Sequence, residues 1–221
     1  MPIRLHPAPI RKTILSVVAS GGCRASSRFE VGPALSSMSP NKRLLSIAIV
    51  LWLWAAGLGA REVESLRINA GIDLFPSFLA ADLDIADKTD KDGALLLLLV
   101  HWDTEQEVEH LAAGLAEVGH IRDLPIRVRT VSVEALTEYR DARPAGLFVT
   151  ERLPAEALAR ILAFGRQAGV LVISPHKGDV EQGASGGIWV GDRILPFVNM
   201  RALDAGGVRL KPFFLRIAET L

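Results

Sequence analysis

The sequence predicts a single α/β sandwich of three layers, with a mostly parallel sheet that a C-terminal antiparallel hairpin makes mixed. Two observations carry this prediction. From Ala94 onward, apolar runs of strand length alternate with amphipathic segments of helical length, which is typical of a parallel sheet covered by helices. In the last third, two short apolar segments flank Gly191–Asp192, which is typical of a hairpin.

Residues 1–60 differ from the rest of the chain. Lys42–Arg43 precede about fifteen apolar residues and then a small-residue stretch, the pattern of a secretory signal peptide. The run is short for a membrane-spanning helix, which needs roughly 20 apolar residues, although an uncleaved anchor stays an open alternative. We therefore predict translation from Met38, a signal peptide over 38–60 and a domain over 61–221 in the bacterial periplasm. Residues 1–37 are then an upstream extension of the annotated reading frame, or else a disordered cytoplasmic segment of an anchored protein.

Charge and cysteine content narrow the function classes. Seven of the 25 basic and one of the 25 acidic side chains precede residue 61, so the rest of the chain has 18 basic and 24 acidic groups and a net charge of −6. A mildly acidic domain argues against nucleic acid as a partner, which requires a basic surface. The single cysteine, Cys23, precedes the predicted domain, so that domain has no thiol chemistry.

The first half of the domain has a clear element order. An apolar stripe over Arg67–Leu83 predicts a helix that Pro76 should kink or split. Asp84–Gly93 is dense in aspartate, but it fits a calcium loop poorly because Lys88 and Leu99 occupy ligand positions, so we expect a solvated turn.

Six further elements, three strands and three helical segments, precede the closing block. They are a central strand over Ala94–Trp102, a helix that begins at a Thr104–Glu107 capping box and ends near Gly119, a strand over Arg127–Val133 with a helical turn at Ala135–Tyr139, and a strand over Gly146–Thr150 followed by a helix between Pro154 and Gly169.

The closing block begins with a buried strand over Val170–Pro175. The hairpin that follows has Gly191–Asp192 as a two-residue loop of type II′. Pro196 cannot donate a ladder hydrogen bond, so its strand should lie at an edge or contain a bulge. A short helix from Met200 to Ala205, ended by Gly206–Gly207, and a closing helix over Lys211–Leu221 are expected after it.

Polar side chains follow three of the predicted parallel strands. His101 and Asp103 follow the first, Glu151 follows the third, and His176 follows the fourth. Because ligands of open α/β sheets bind at the carboxyl ends of strands, these residues could form a small-molecule crevice. Ordinary loop polarity is the alternative explanation.

The motifs for catalysis and cofactors are weak. Ser174, His176 and Asp179 have the residue types of a hydrolase triad, but they stand in one short loop without a nucleophile elbow. The histidines do not have metal-ligand spacing. The stretch over 183–187 resembles a phosphate loop yet leads into a strand instead of a helix. The sequence therefore predicts a protein that is not an enzyme and has no metal or cofactor.

The closing block resembles the YfiR family of small secreted bacterial proteins. The match rests on the order of elements and covers about Leu95 to Leu221. The matching residues are Gly186, Gly187, Ile188, Ile194, Phe197, Asn199, Ala202, Gly206, Val208, Leu210, Leu215 and Ala218. The resemblance implies a periplasmic α/β protein that regulates a membrane signalling partner, such as a diguanylate cyclase, by binding its periplasmic part. The Trp-Pro step that usually follows the family's first helix is missing here.

We therefore expect a regulatory or accessory protein that binds an inner-membrane sensor or cyclase, with a homodimer left open and membrane contact only through the signal peptide or the partner. The residues expected at the partner surface are Trp189, Phe197, Asn199, Phe213 and Phe214. Core packing is the alternative for the two phenylalanines of the closing helix, and Asn199 could instead cap the helix from Met200, in which case Asn199→Asp should be tolerated. A solute-binding protein that uses the His101 and His176 crevice is the alternative function.

Overall fold

Helices cover both faces of a mixed sheet in the computed structural model, which describes residues 62–103 and 105–221. The strands are β1 Leu95–His101, β2 His120–Ile121, β3 Leu124–Ser132, β4 Gly146–Val149, β5 Leu171–Ser174, β6 Gly186–Val190, β7 Ile194–Val198 and β8 Glu219–Thr220. The helices are α1 62–81, α2 Glu105–Ala116, α3 Ala155–Ala168, α4 Asp179–Gln182, α5 Met200–Gly206 and α6 Pro212–Ile217, with 3-10 turns at Ile85–Lys88 and Ala135–Tyr139.

The strand order is β2-β3-β1-β4-β5-β6-β7-β8. The five strands from β3 to β6 in this order are parallel, whereas β2 pairs antiparallel with β3 and β7 pairs antiparallel with β6. The predicted mixed α/β sandwich is therefore confirmed.

The central strand β1 contributes to two separate cores. Leu95, Leu97 and Leu99 pack with α1 and α2, and the intervening Leu96 and Leu98 pack with α3. Alternate side chains of a strand point to opposite faces, so a strand covered on both faces needs apolar residues at every position. This requirement explains the unbroken apolar run in the sequence.

Helix α1 continues through Pro76 from 62 to 81, so the proline does not split the helix. Phe75 and Phe78, on either side of the proline, are fully buried, and this tertiary packing outweighs the loss of one backbone hydrogen bond. The helix runs opposite to the parallel strands. Leu79 lies against Gly146 at the start of β4, and Gly71 lies against Pro175 just after β5.

Two turns differ from the sequence prediction. The short β2 is joined to β3 by Arg122 and Asp123, whose φ angles of 51° and 66° give a tight turn without glycine. Since non-glycine residues seldom adopt this conformation, no turn was predicted there. In the second case Val190 pairs with Ile194, so the β6–β7 loop has three residues and Gly191 is not in the left-handed region; the type II′ prediction was wrong.

The closing helix is shorter than predicted. It ends at Ile217, and the last residues form β8, which pairs in parallel with Phe197 and Val198 of β7. Pro196 lies opposite Ile188 and outside the stretch that pairs with β8, so its missing N–H leaves no ladder position unfilled on that side.

The glycine pair that opens β6 has a packing role. A Cβ on Gly186 would lie 2.5 Å from the Phe78 ring, and a Cβ on Gly187 would lie 2.3 Å from the carbonyl oxygen of Ser174. The stretch over 183–187 leads into a strand, as the sequence indicated, and the structure adds that this strand passes very close to its neighbours.

The predicted upstream extension over 1–37, the signal peptide over 38–60 and Thr104 of the capping box lie outside the described residues. Within the described part of the chain, no helix is long and apolar enough to cross a membrane.

Candidate functional site

The carboxyl ends of β1, β4, β5 and β6 lie side by side at one edge of the sheet, because these four strands are parallel neighbours. His101 ends β1, Glu151 follows β4, His176 follows β5, and Trp189 is the fourth residue of β6. The structure therefore places the expected crevice residues and one expected partner-binding residue along the same edge.

The gap between β1 and β4 is bridged by the Glu151 side chain. Its Oε1 accepts hydrogen bonds from the backbone N–H groups of Trp102 at 2.6 Å and Asp103 at 2.9 Å. The chain leaves β1 for α2 on one face and leaves β4 for α3 on the other, which makes this gap the usual place for a ligand in such sheets. Here a carboxylate of the chain itself already binds those N–H groups.

Two buried imidazoles stand at this edge. His101 is 9% exposed and His176 is 2% exposed. Among the described residues, His101 Nδ1 and His176 Nε2 have no hydrogen-bond partner. A buried nitrogen without a partner costs free energy, so each of these atoms is a candidate to contact a bound molecule.

The His176 ring is held by the first turns of α1. Its Nδ1 makes a short hydrogen bond with Oε1 of Glu64, which also lies 3.8 Å from the Arg152 guanidinium. A carboxylate accepts hydrogen bonds, so Nδ1 carries a proton in this contact.

A pocket of about 320 Å³ opens beside His176, between the loop after β5 and the β6–β7 hairpin. This volume lies at the lower end of the range for small-molecule sites, about 300–1,000 Å³. The lining combines apolar and aromatic side chains with a few charged ones: Arg67, His176, Lys177, Gly178, Val180, Glu181, Ile188, Trp189, Val190 and Phe197.

Arg67 connects α1 to both walls of this pocket. Its Nε donates to the carbonyl oxygen of Pro175 at 2.9 Å, and its Nη2 donates to that of Ile188 at 3.4 Å. Among the described residues, neither Arg67 nor Lys177 has a carboxylate within 4.0 Å. The pocket therefore offers two cations without an acidic partner.

The residues of the triad type do not form a relay. The Ser174 hydroxyl donates to Asp179 Oδ2 at 2.6 Å and accepts from the backbone N–H of His176 at 3.3 Å, while the His176 ring contacts Glu64. These bonds hold the loop after β5 in place. Within the described residues, no group of histidine, cysteine and acidic side chains could hold a metal ion.

The five expected partner-binding residues divide by exposure. Trp189 is 46% exposed and Phe213 is 65% exposed, whereas Phe197, Asn199 and Phe214 are buried. Trp189 packs edge-on against Phe197, with 5.6 Å between ring centroids, so the buried phenylalanine supports the exposed tryptophan. The role of these residues in partner binding stays a prediction, and only Trp189 and Phe213 among the five are exposed enough to contact a partner directly.

Sequence reasoning missed Glu64 and Arg67. Both lie on α1 more than one hundred positions before the loop that they contact, and no local pattern reports such a contact. The predicted helix began at Arg67 and did not include Glu64; in α1 as observed, over 62–81, their spacing of three residues places them on one face.

No family model and no curated protein matches the sequence. The chain is similar to the ligand-free, open structure of a substrate-binding protein with adhesive properties from Clostridium difficile. The TM-score is 0.48 at 14% identity, over 69% of this chain and 59% of that one.

Two other solved structures are similar. One is an ABC domain in complex with L-Trp from Streptococcus pneumonia, with a TM-score of 0.43 at 10% identity over 65% of this chain and 60% of that one. The other is a conserved domain protein from Vibrio cholerae, with a TM-score of 0.45 at 13% identity over 61% and 57%. The chain thus spans less than two thirds of each of these structures, and similarities of this size assign it neither a family nor a function.

Proposed function

We propose that this chain is a non-enzymatic regulatory protein of the bacterial periplasm that binds the periplasmic part of a membrane signalling protein, such as a sensor or cyclase. The observation that carries the proposal is the exposed apolar surface at the tip of the β6–β7 hairpin. There Trp189, Val190 and Ile194 are each about half exposed. Exposed apolar clusters with an aromatic anchor are typical of protein interfaces.

Two sequence features agree with this proposal. The basic pair and apolar run before residue 60 favour export, and the closing block resembles the YfiR family. An exported protein influences cytoplasmic signalling through a membrane protein, which makes an ectodomain the fitting partner.

The test is a binding titration of the purified protein with the ectodomain of a membrane sensor or cyclase encoded beside it. Trp189→Ala should weaken binding by roughly 2 kcal/mol or more if Trp189 is an interface anchor. Because Trp189 also packs on Phe197, Ile194→Asp serves as a second variant at a more exposed position, and Val118→Asp is the matched control on a distant helix end. Unchanged binding by both hairpin variants would exclude this surface.

The pocket beside His176 favours a second candidate function, the binding of a small solute. The supporting observation is the combination of a 320 Å³ cavity, an unpartnered nitrogen of a buried histidine, and the two cations Arg67 and Lys177. These features fit a small anion with an apolar body.

Native mass spectrometry of protein purified from its own host would test the second candidate by the mass of a co-purifying molecule. Lys177→Ala should reduce its occupancy, while Lys91→Ala, at the other end of the sheet, should not. Protein that carries no molecule and whose tryptophan fluorescence responds to no host extract would exclude solute binding.

A further inference from the structure

A second cavity, of about 270 Å³, lies at the opposite edge of the sheet from the solute pocket. It stands between the loop over 140–143, which leads into β4, and the last turn of α3. Its lining residues contain two arginines and no acid: Arg140, Arg143, Phe164, Gln167 and Ala168. Arg143 also lines the adjoining cavity of about 790 Å³, so it stands between the two.

The backbone of Arg143 is in an unfavourable conformation. Its φ angle is 48°, in the left-handed region that L-residues other than asparagine and aspartate rarely adopt. Residues held in this way cost free energy, and they occur preferentially at ligand clamps and other functional positions. Arg122 in the β2–β3 turn has the same backbone conformation, so this strain gains meaning at Arg143 because the residue also lines a cavity.

The charges of the two arginines are not neutralised by the chain. In the adjoining cavity, Arg127 is paired with Asp90 at 2.8 Å and Asp92 at 3.0 Å. Arg140, by contrast, donates from Nη2 to the neutral Oε1 of Gln167 at 3.2 Å. Among the described residues, neither Arg140 nor Arg143 has a carboxylate within 4.0 Å. The nearby carbonyl end of α3 carries only a partial negative charge, against the two full positive charges of the arginines.

We propose that this cavity binds a small oxyanion, with a phosphate or carboxylate group held between the guanidinium groups of Arg140 and Arg143. The planar fork of a guanidinium matches two oxygens of such a group. Gln167 orients Arg140 by its hydrogen bond, and the left-handed backbone orients Arg143. Phe164 supplies an apolar wall for the rest of the ligand. This site is separate from the solute pocket and from the hairpin surface.

The test compares Arg143→Asn with Arg122→Asn, a matched substitution in the β2–β3 turn, where Arg122 also has a left-handed backbone. Asparagine tolerates this conformation, so both variants should melt at or above the temperature of the wild-type protein. Inorganic phosphate and succinate are titrated calorimetrically at low ionic strength, with chloride as the baseline.

We expect one or both anions to bind the wild-type protein and the Arg122→Asn variant equally, and to bind Arg143→Asn about tenfold more weakly or worse. Arg140→Gln, at a position with an ordinary backbone, should weaken binding in the same way and guards against a folding defect at Arg143. Binding of phosphate alone or of succinate alone identifies the group. The proposal would be overturned if the wild-type protein bound neither anion, or if Arg143→Asn and Arg140→Gln both bound it as tightly as the wild-type protein does.

Discussion

The side-chain amide of Asn199 donates a hydrogen bond to the carbonyl oxygen of Val180, with 2.7 Å between the two atoms. The same side chain accepts, at Oδ1, a 3.0 Å hydrogen bond from the backbone N–H of Ala202 and so caps α5. Asn199 is buried, and its two bonds join Val180 of α4 to the start of α5. A cap alone needs only an acceptor, whereas this position needs a donor as well.

We therefore expect both Asn199→Ala and Asn199→Asp to destabilise the protein. Alanine loses the cap and one of the two hydrogen bonds that the Val180 carbonyl accepts, while the backbone N–H of Gly183 keeps the other at 3.1 Å, so the cost should be about 1–3 kcal/mol. Aspartate keeps the cap acceptor but places a carboxylate oxygen against that carbonyl, at a cost of about 1–3 kcal/mol. The sequence-based expectation that aspartate is tolerated thus changes. Urea titration measures the free energy of unfolding, with Asn69→Asp on an exposed turn of α1 as control; an Asn199→Asp protein as stable as the wild type would contradict this account.

Lys88 and Asp82 form an ion pair in which the carboxylate is fully buried. Lys88 Nζ lies 2.7 Å from Asp82 Oδ2 and 2.8 Å from the carbonyl oxygen of Gly169. Lys88→Met should cost about 3 kcal/mol, because among the described residues it leaves the buried carboxylate with one hydrogen bond, from the Asp84 N–H. The double variant Asp82→Asn with Lys88→Met should recover part of that loss. A double variant less stable than Lys88→Met in thermal melts would rule out the uncompensated charge as the cause.

The β2–β3 turn should become more stable when Asp123 is replaced by glycine. Both turn residues have positive φ angles, and glycine removes the steric cost at one of them. Glycine also makes the unfolded chain more flexible, so the net gain should be only about 0.5 kcal/mol. Asp141→Gly, at an exposed position without a positive φ angle, should lower stability instead. Chemical denaturation of both variants decides the matter, and a loss at both positions would refute the steric argument.

Asp90 should make stability depend on pH in the acid range. Hydrogen bonds from the N–H of Ala94, then from that of Asp92, and the charge of Arg127 hold its pKa below the ordinary value of 3.8. A carboxyl whose pKa is lowered by folding stabilises the protein above its ordinary pKa and loses this contribution as the pH falls through the lowered value.

The wild-type protein should therefore lose stability more steeply below pH 3.8 than the Asp90→Asn variant does. The main cause is a backbone hydrogen bond, so about 1 M salt, which screens Arg127, should reduce this difference only in part. Melting curves over a pH series measure it. Equal slopes in the two proteins would show that Asp90 has the same pKa in the folded and unfolded chain.

The sequence by itself determined the α/β class and most of the element order. It did so where a local pattern has only one good structural solution, as in the unbroken apolar run of β1 and in the glycine after α3, whose left-handed backbone ends that helix. Its predictions of export and of a signalling partner rest on composition and resemblance, and they stay predictions. The predicted type II′ turn was wrong because the β6–β7 loop has three residues. The closing helix is shorter than predicted because the pairing of β7 with β8 overrides the helical spacing of the last residues.

Only the tertiary structure decided which side chains meet. Glu64 and Arg67 reach the loop that contains His176 from the far end of the chain, and Asn199 contacts Val180 across a whole hairpin. Trp189 and Phe197 are both aromatic and lie on paired strands, so the sequence does not tell which of them is exposed. The tertiary structure buries Phe197 and leaves Trp189 about half exposed on top of it. The spacing of residues along the sequence shows which side chains share a face of one helix or strand. Contacts between distant segments depend on how the sheet and its helices pack together, and no local pattern in one sequence encodes them.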